Sequence, residues 1–291
     1  MKKLRIITAV VLFSSVALAL AVMTASAAPP TVVVMSGLDN PRGLALDRDG
    51  TLYVAEAGKG AAGQPGSPRC APTVRPAPED VYCAGRMGAG LLARAGPQIL
   101  TDAGGNSLVR VSDSGEISTI ATFPSRPRPP ARPLESVPTC VAVGPDGAYY
   151  VGELSGAPFA TGAARVYRVV PGHTPEVFLE GFTTIIDLAF GPDDSLYVLQ
   201  HSSAGPFFAS PGSLVRVAPD GTRTTVLEGL QRPTSVVLGL VGKHDAEGDD
   251  DDDGDGHDDD DDDDDEEGRE VIYVSNKGTS AGIGEVLRIE R

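Results

Sequence analysis

The chain has 291 residues and a formal charge of −16, from 24 Lys and Arg against 40 Asp and Glu. Fifteen Asp and three Glu fall between Asp245 and Glu267 with no Lys or Arg among them, so the rest of the chain carries +2, or −1 once Lys2, Lys3 and Arg5 are set aside. A near-neutral remainder excludes a broad basic surface for nucleic acid or anionic lipid. The 35 Gly, 24 Pro, 5% aromatic residues and absence of Trp exclude a bundle of long helices and predict many turns around small aliphatic side chains.

The amino terminus reads as a signal peptide over residues 1–27. Three positive charges within Met1 to Arg5 precede an uncharged apolar run from Ile6 to Met23, and Ala25-Ser26-Ala27 supplies small residues for cleavage. The alternative is an uncleaved anchor helix, since the apolar run is nearly long enough to span a bilayer. Cleavage predicts a secreted or periplasmic protein with no stable membrane span, comprising a single domain over residues 28–291.

Residues 59–89 form a Pro/Gly-rich loop holding Cys70 and Cys83. In an oxidising compartment these two are expected to bridge and restrain a segment with little core of its own. Cys140 lies in the apolar pattern Val137-Pro-Thr-Cys-Val-Ala-Val and is expected to be a buried free thiol rather than a nucleophile.

An internal repeat sets the architecture. Leu52-Tyr-Val, Ile99-Leu-Thr, Tyr149-Tyr-Val, Leu196-Tyr-Val and Ile272-Tyr-Val align as one strand, with their third residues spaced 47, 50, 47 and 76 apart. The last interval contains the acidic tract of 23 residues, whose removal leaves 53. A strand and a turn such as Gly144-Pro-Asp-Gly precede the aligned strand, and a second hairpin follows it from Leu108, Val166 and Leu214.

Four antiparallel strands per unit cannot bury both faces alone, so the fold class is all-β, a β-propeller with five recognisable repeats. The last unit stops at Val286-Leu-Arg-Ile-Glu-Arg without a fourth strand, and Thr31 to Met35 is a strand without a unit. These two are expected to pair and close the ring. Gly90 to Gly105 matches Gly43 to Gly58 without a gap, so the cysteine loop occupies the place of the first unit's second hairpin.

Asn40-Pro-Arg-Gly-Leu-Ala-Leu, Leu52-Tyr-Val-Ala-Glu-Ala-Gly, the run from Val137 to Leu154 and that from Gly162 to Gly172 resemble the ScyD/ScyE family of exported bacterial propellers. The resemblance covers nearly all of the chain after the signal peptide, apart from the acidic tract, and is strongest from Asp102 to Leu230. It implies a secreted propeller, usually six-bladed, related in shape to NHL-repeat and gluconolactonase-like proteins. Most members have no assigned activity. The chain departs from the family in being short between Ala84 and Gly90 and in carrying the acidic tract.

Two motifs match chemistry by spacing alone. Gly58-Lys-Gly-Ala-Ala-Gly63 fits a dinucleotide fingerprint, but Gln64-Pro-Gly-Ser-Pro cannot start the helix that a pyrophosphate needs. Gly278-Thr-Ser-Ala-Gly282 fits a nucleophile elbow, but a strand pattern follows Ser280 where the elbow requires a helix.

The repeat alignment supplies better candidates. Glu56, Ala103, Glu153, Gln200 and Asn276 share the position after the second strand, with Asp102 one place before it and His201 one place after. Gly43, Gly90, Cys140, Asp187 and Ser235 share a position at the start of the inner strand. Facing a central funnel, Glu56, Asp102, Glu153, Asp187, Gln200, His201 and Asn276 would form an oxygen-rich ring for a polyol or a hard cation, with Glu153, Asp187 and Asn276 as metal ligands. The alternative is that these side chains cap blade turns and bond backbone groups.

Within the acidic stretch over 245–268, Asp249, Asp251, Asp253, Gly254 and Asp260 match EF-hand spacing, yet in a tract of Asp such a match arises by chance. The stretch reads as a disordered insertion in the last blade, gathering Ca²⁺ loosely through charge density. No cofactor is fixed by the sequence, and Ca²⁺ is the ion that its carboxylates suit. The partner is expected to be a small molecule or an extracellular protein. The leading expectation is a non-catalytic binding or accessory propeller, and the alternative is a metal-dependent lactonase-like hydrolase built on the funnel ring.

Overall fold

The computed structural model describes residues 29–46, 51–56, 91–92, 97–241 and 269–291. The signal segment, the cysteine loop with Cys70 and Cys83, and the acidic stretch with Asp249, Asp251, Asp253 and Asp260 lie outside them. The described residues are all-β, with one 3₁₀ turn at Pro206–Phe208. Among them no helix is long and apolar enough to cross a membrane.

The strands form five antiparallel sheets that follow the repeat. The first is a pair, β2 (Pro41–Leu46) with β3 (Leu52–Glu56). The second contains β4 (Leu91–Leu92), β5 (Gln98–Asp102), β6 (Ser107–Val111) and β7 (Ile117–Thr122). The third contains β8 (Pro138–Val143), β9 (Tyr149–Glu153), β10 (Ala164–Val169) and β11 (Glu176–Phe182). The fourth contains β12 (Ile185–Phe190), β13 (Leu196–Gln200), β14 (Gly212–Val217) and β15 (Arg223–Leu230).

The fifth sheet contains β16 (Ser235–Val241), β17 (Arg269–Asn276) and β18 (Gly284–Glu290), and its fourth strand is β1 (Thr31–Leu38). Thr31 opposes Ile289 and Leu38 opposes Gly284, so the two ends of the chain complete one blade. This is the pairing expected from the strand without a unit. The acidic stretch falls between β16 and β17, where the third and fourth sheets have a short turn.

Those turns are built as their residues dictate. At Gly144-Pro-Asp-Gly the backbone N–H of Gly147 reaches the Gly144 carbonyl at 2.9 Å, Asp146 accepts from Ala148 N at 3.2 Å, and Gly147 takes φ 77°. The turn carboxylate then meets an arginine of the third strand. Arg168 pairs with Asp146 and Arg216 with Asp193, whereas Arg288, whose unit has the acidic stretch instead, pairs with Glu290.

The core is not one mass but layers between consecutive sheets. Period-two alternation sends Leu196 and Val198 of β13 toward Cys140, Tyr150 and Val166 of the third sheet. Their neighbours Tyr197 and Leu199 pack with Val236, Ile272 and Val274 of the fifth. A third layer joins Ile99 and Leu108 to Val141 and Val151, and a fourth joins Val54 and Leu44 to Val271 and Tyr273. The sheets thus stack in the order second, third, fourth, fifth, first. The segment that would separate the first sheet from the second, residues 57–90, is outside the described residues.

Candidate functional site

The two aligned positions behave differently. The position after the second strand is a repeated latch in four of the five sheets, the second having Ala103 there. Glu56 Oε1 accepts from the backbone N–H of Asp39, and Gln200 Oε1 from Thr183 N at 2.6 Å. Asn276 Oδ1 accepts from Gln231 N at 2.7 Å, and Glu153 Oε2 from Ser136 Oγ at 2.7 Å. The donors Asp39, Ser136, Thr183 and Gln231 are themselves equivalent. Each precedes a residue with left-handed backbone: Asn40 (φ 55°), Val137 (φ 56°), Thr184 (φ 45°) and Arg232 (φ 51°). That twist turns the chain from one blade into the inner strand of the next, and the side chain at the end of the second strand fastens it.

The latch in the third sheet carries a charge. Glu153 is fully buried, bonded to Arg126 Nη2 at 2.7 Å, to Ser136 Oγ and to Tyr167 Oη at 3.3 Å. Burial raises its pKa above the ordinary carboxylate value, opposed by the Ser136 hydrogen bond and the Arg126 charge. Gln200 and Asn276 are buried and bonded through both amide atoms, the former donating to Ser213 Oγ at 2.9 Å and the latter to Glu285 Oε1 at 2.9 Å. Asp102 is exposed and caps its own turn, accepting from Gly104 N and Gly105 N at 3.0 Å each.

The position at the inner strand is where separate blades meet. Ser235 Oγ donates to Asp187 Oδ2 at 2.7 Å, Val236 N donates to the same oxygen at 2.9 Å, and Leu44 N donates to Ser235 Oγ at 3.1 Å. One relay therefore joins the first, fifth and fourth sheets. Cys140 of the third sheet adjoins it as a buried free thiol, its pKa pushed up by burial and by the Asp187 charge. Burial raises the Asp187 carboxyl to about 6, against the hydrogen bonds from Ser235, Val236 and Leu188 that favour the carboxylate.

Glu153, Asp187 and Asn276, the metal candidates, stand on three different sheets, each with its own partners. Among the described residues no three His, Cys, Asp or Glu side chains converge on a point that could hold an ion. Ser280 lies in the turn between β17 and β18, so the nucleophile-elbow spacing falls in a loop joining two blade strands.

His201 is buried at the same end as the latches. Its Nδ1 lies 2.8 Å from the Pro233 carbonyl, to which it donates. Its pKa is lowered chiefly by burial, with Arg232 and Arg42 adding to the effect. Beside it are Phe159, Phe207 and Phe208, which the repeat alignment passes over because they lie in the connections after β9 and β13 rather than on strands. Their only sequence signal is three aromatic residues in loops of a chain poor in them.

No family model matches the chain, and no curated protein matches it. Solved structures do. A luciferin-regenerating enzyme aligns at 10% identity and TM-score 0.44, over 90% of this chain and 95% of its own. A gluconolactonase from Xanthomonas campestris aligns at 14% identity and TM-score 0.41, over 67% of this chain. The match spans about half of that gluconolactonase, 54% of its length. The PQQ domain of a pyranose dehydrogenase from Coprinopsis cinerea aligns at 14% identity and TM-score 0.40, over 90% of this chain and 95% of its own. Likenesses at this level assign no activity.

Proposed function

We propose that the chain is a secreted propeller of the ScyD/ScyE type that binds a small molecule or an extracellular protein without transforming it. The observation that carries this reading is the latch. Glu56, Glu153, Gln200 and Asn276, the repeat-equivalent groups that could have lined a reactive funnel, are engaged in fastening their own blades. The signal-like amino terminus and the motifs from Asn40 to Gly172 support export and the family.

Asp187 favours a second reading, a metal-dependent lactonase-like hydrolase. A carboxyl with a pKa near 6, bonded to a serine hydroxyl, is poised to move a proton near neutral pH. Metal analysis of the purified protein followed by a lactone screen separates the two. Binding alone predicts no stoichiometric Ca²⁺ or Zn²⁺ and no hydrolysis above background. Lactone turnover that falls in Asp187→Asn establishes the hydrolase instead.

A further inference from the structure

We infer that the loops after β9 and β13, together with the entry to β16, form a binding site for a small aryl carboxylate. The aromatic part is a cluster of three rings. Phe159 stacks on Phe208 with ring centroids 4.5 Å apart and planes 21° apart, and Phe207 meets Phe159 edge-on at 6.2 Å. Phe207 is 64% exposed, an unusual place to leave a phenyl ring in water.

The cationic part adjoins it. The Arg232 guanidinium lies over the Phe208 ring at 5.3 Å, and His201 meets that ring edge-on at 5.2 Å. The Arg232 guanidinium thus stands on the same ring that His201 touches. Among the described residues Arg232 is held by no ion pair, in contrast to Arg168 and Arg216, which meet the turn carboxylates of their own blades. A guanidinium without a counter-ion is complementary to an anion, and its planar fork suits a carboxylate.

The backbone holds this arrangement at a cost. Phe159, Phe207 and Phe208 all have positive φ, at 60°, 53° and 60°, a conformation that bulky side chains rarely adopt. Bonds between the two loops keep them there: Gly205 N donates to Thr161 Oγ1 at 2.8 Å, and Phe207 N to the Pro158 carbonyl at 3.0 Å. Ser210 Oγ closes the second loop by accepting from Ala204 N at 2.6 Å. Strained aromatic residues held by interlocked loops constitute a preorganised platform, where a flat ring stacks and its carboxylate reaches the guanidinium.

This site rests on the reading of the chain as a binding propeller. Titration calorimetry of the purified protein with 2-naphthoate tests it, with 2-naphthylmethanol as the uncharged ring and cyclohexanecarboxylate as the ringless anion. The expected result is saturable one-to-one binding of 2-naphthoate, about tenfold tighter than either control, and a loss of about tenfold in each of Phe207→Ala and Arg232→Gln. Phe207 is exposed, so its replacement leaves the blades intact. No saturable binding by the wild-type protein overturns the site. So does 2-naphthoate binding that both variants leave unchanged, which spares the broader reading because a ligand is still bound elsewhere. Lactone turnover by a protein whose 2-naphthoate binding follows the expected pattern sinks the non-catalytic reading and leaves the site standing.

Discussion

Ser235 donates its hydroxyl hydrogen to Asp187 Oδ2 at 2.7 Å, tying the inner strand of the fifth sheet to that of the fourth. The two occupy the same place in consecutive repeats. The contact is therefore a repeat position meeting its own equivalent across a blade boundary, and Leu44 N extends it to the first sheet at 3.1 Å.

Asp187 gives stability a pH dependence of defined sign. Its folded value of about 6 lies above the ordinary 3.8, so near pH 5 the native protein holds a proton that the unfolded chain has released. The stabilisation from that proton is complete below about pH 3.8 and is lost as the pH rises through about 6, a change of at most about 3 kcal/mol. Asp187→Asn removes the titration, so the melting temperature of the variant relative to wild type should climb from pH 4 to pH 7. Using the difference cancels Asp146 and Asp193, whose lowered values act in the opposite direction. A difference that is flat with pH rejects the assignment.

Glu153 makes a second prediction. Its carboxylate is buried with Arg126 as its charged partner, and removing that partner leaves a buried charge uncompensated. Arg126→Met should destabilise by about 3 kcal/mol. Arg126→Met with Glu153→Gln should recover much of the loss, because the amide still accepts from Ser136 without a charge to bury. Urea unfolding of the three proteins checks this, and a double variant no more stable than Arg126→Met contradicts it.

The blade architecture was legible because it rests on period and turn chemistry. Aligned strands spaced 47, 50 and 47 apart, Pro-Asp-Gly turns, a strand without a unit and a unit short of one strand are local signals, and the sheet order follows them down to the pairing of β1 with β18. The same alignment groups the candidate side chains by place in the blade but not by what they bond. Sequence equivalence shows that Glu153, Gln200 and Asn276 stand at one place in the blade. It does not show that they point back toward Ser136, Thr183 and Gln231, which depends on a left-handed residue that Val137, Thr184 and Arg232 give no reason to expect. The aromatic cluster was illegible for a related reason, since loop-to-loop proximity between repeats has no period.

The latch itself is testable where it is buried and neutral. Gln200→Ala removes the acceptor of Thr183 N and the donor to Ser213, leaving a buried N–H unpaired. The expected cost is about 2 kcal/mol. Gln200→Glu keeps the acceptor but places a carboxylate there with no cation among its hydrogen-bond partners, so its stability relative to wild type should fall from pH 5 to pH 8. Thermal unfolding at both pH values measures it, and an alanine variant as stable as wild type shows that the latch contributes nothing.

Gly152 tests the layered core. It lies in β9 opposite Cys140, and a Cβ added there would come within 2.6 Å of Ile185 Cγ2 and 2.7 Å of Cys140 Sγ, both in the layer between the third and fourth sheets. Neither neighbour can swing away, because Ile185 and Cys140 are buried among Leu188, Val198 and Val166. Gly152→Ala should therefore force the two sheets apart and destabilise by about 2 kcal/mol. Combining it with Ile185→Ala, which removes the Cγ2 methyl of that contact, should cost less than the sum of the two, although Ile185→Ala on its own costs about 3 kcal/mol. Denaturant unfolding of the two single variants and the double variant gives the coupling. Strict additivity would place the strain of Gly152→Ala somewhere other than the boundary between these blades.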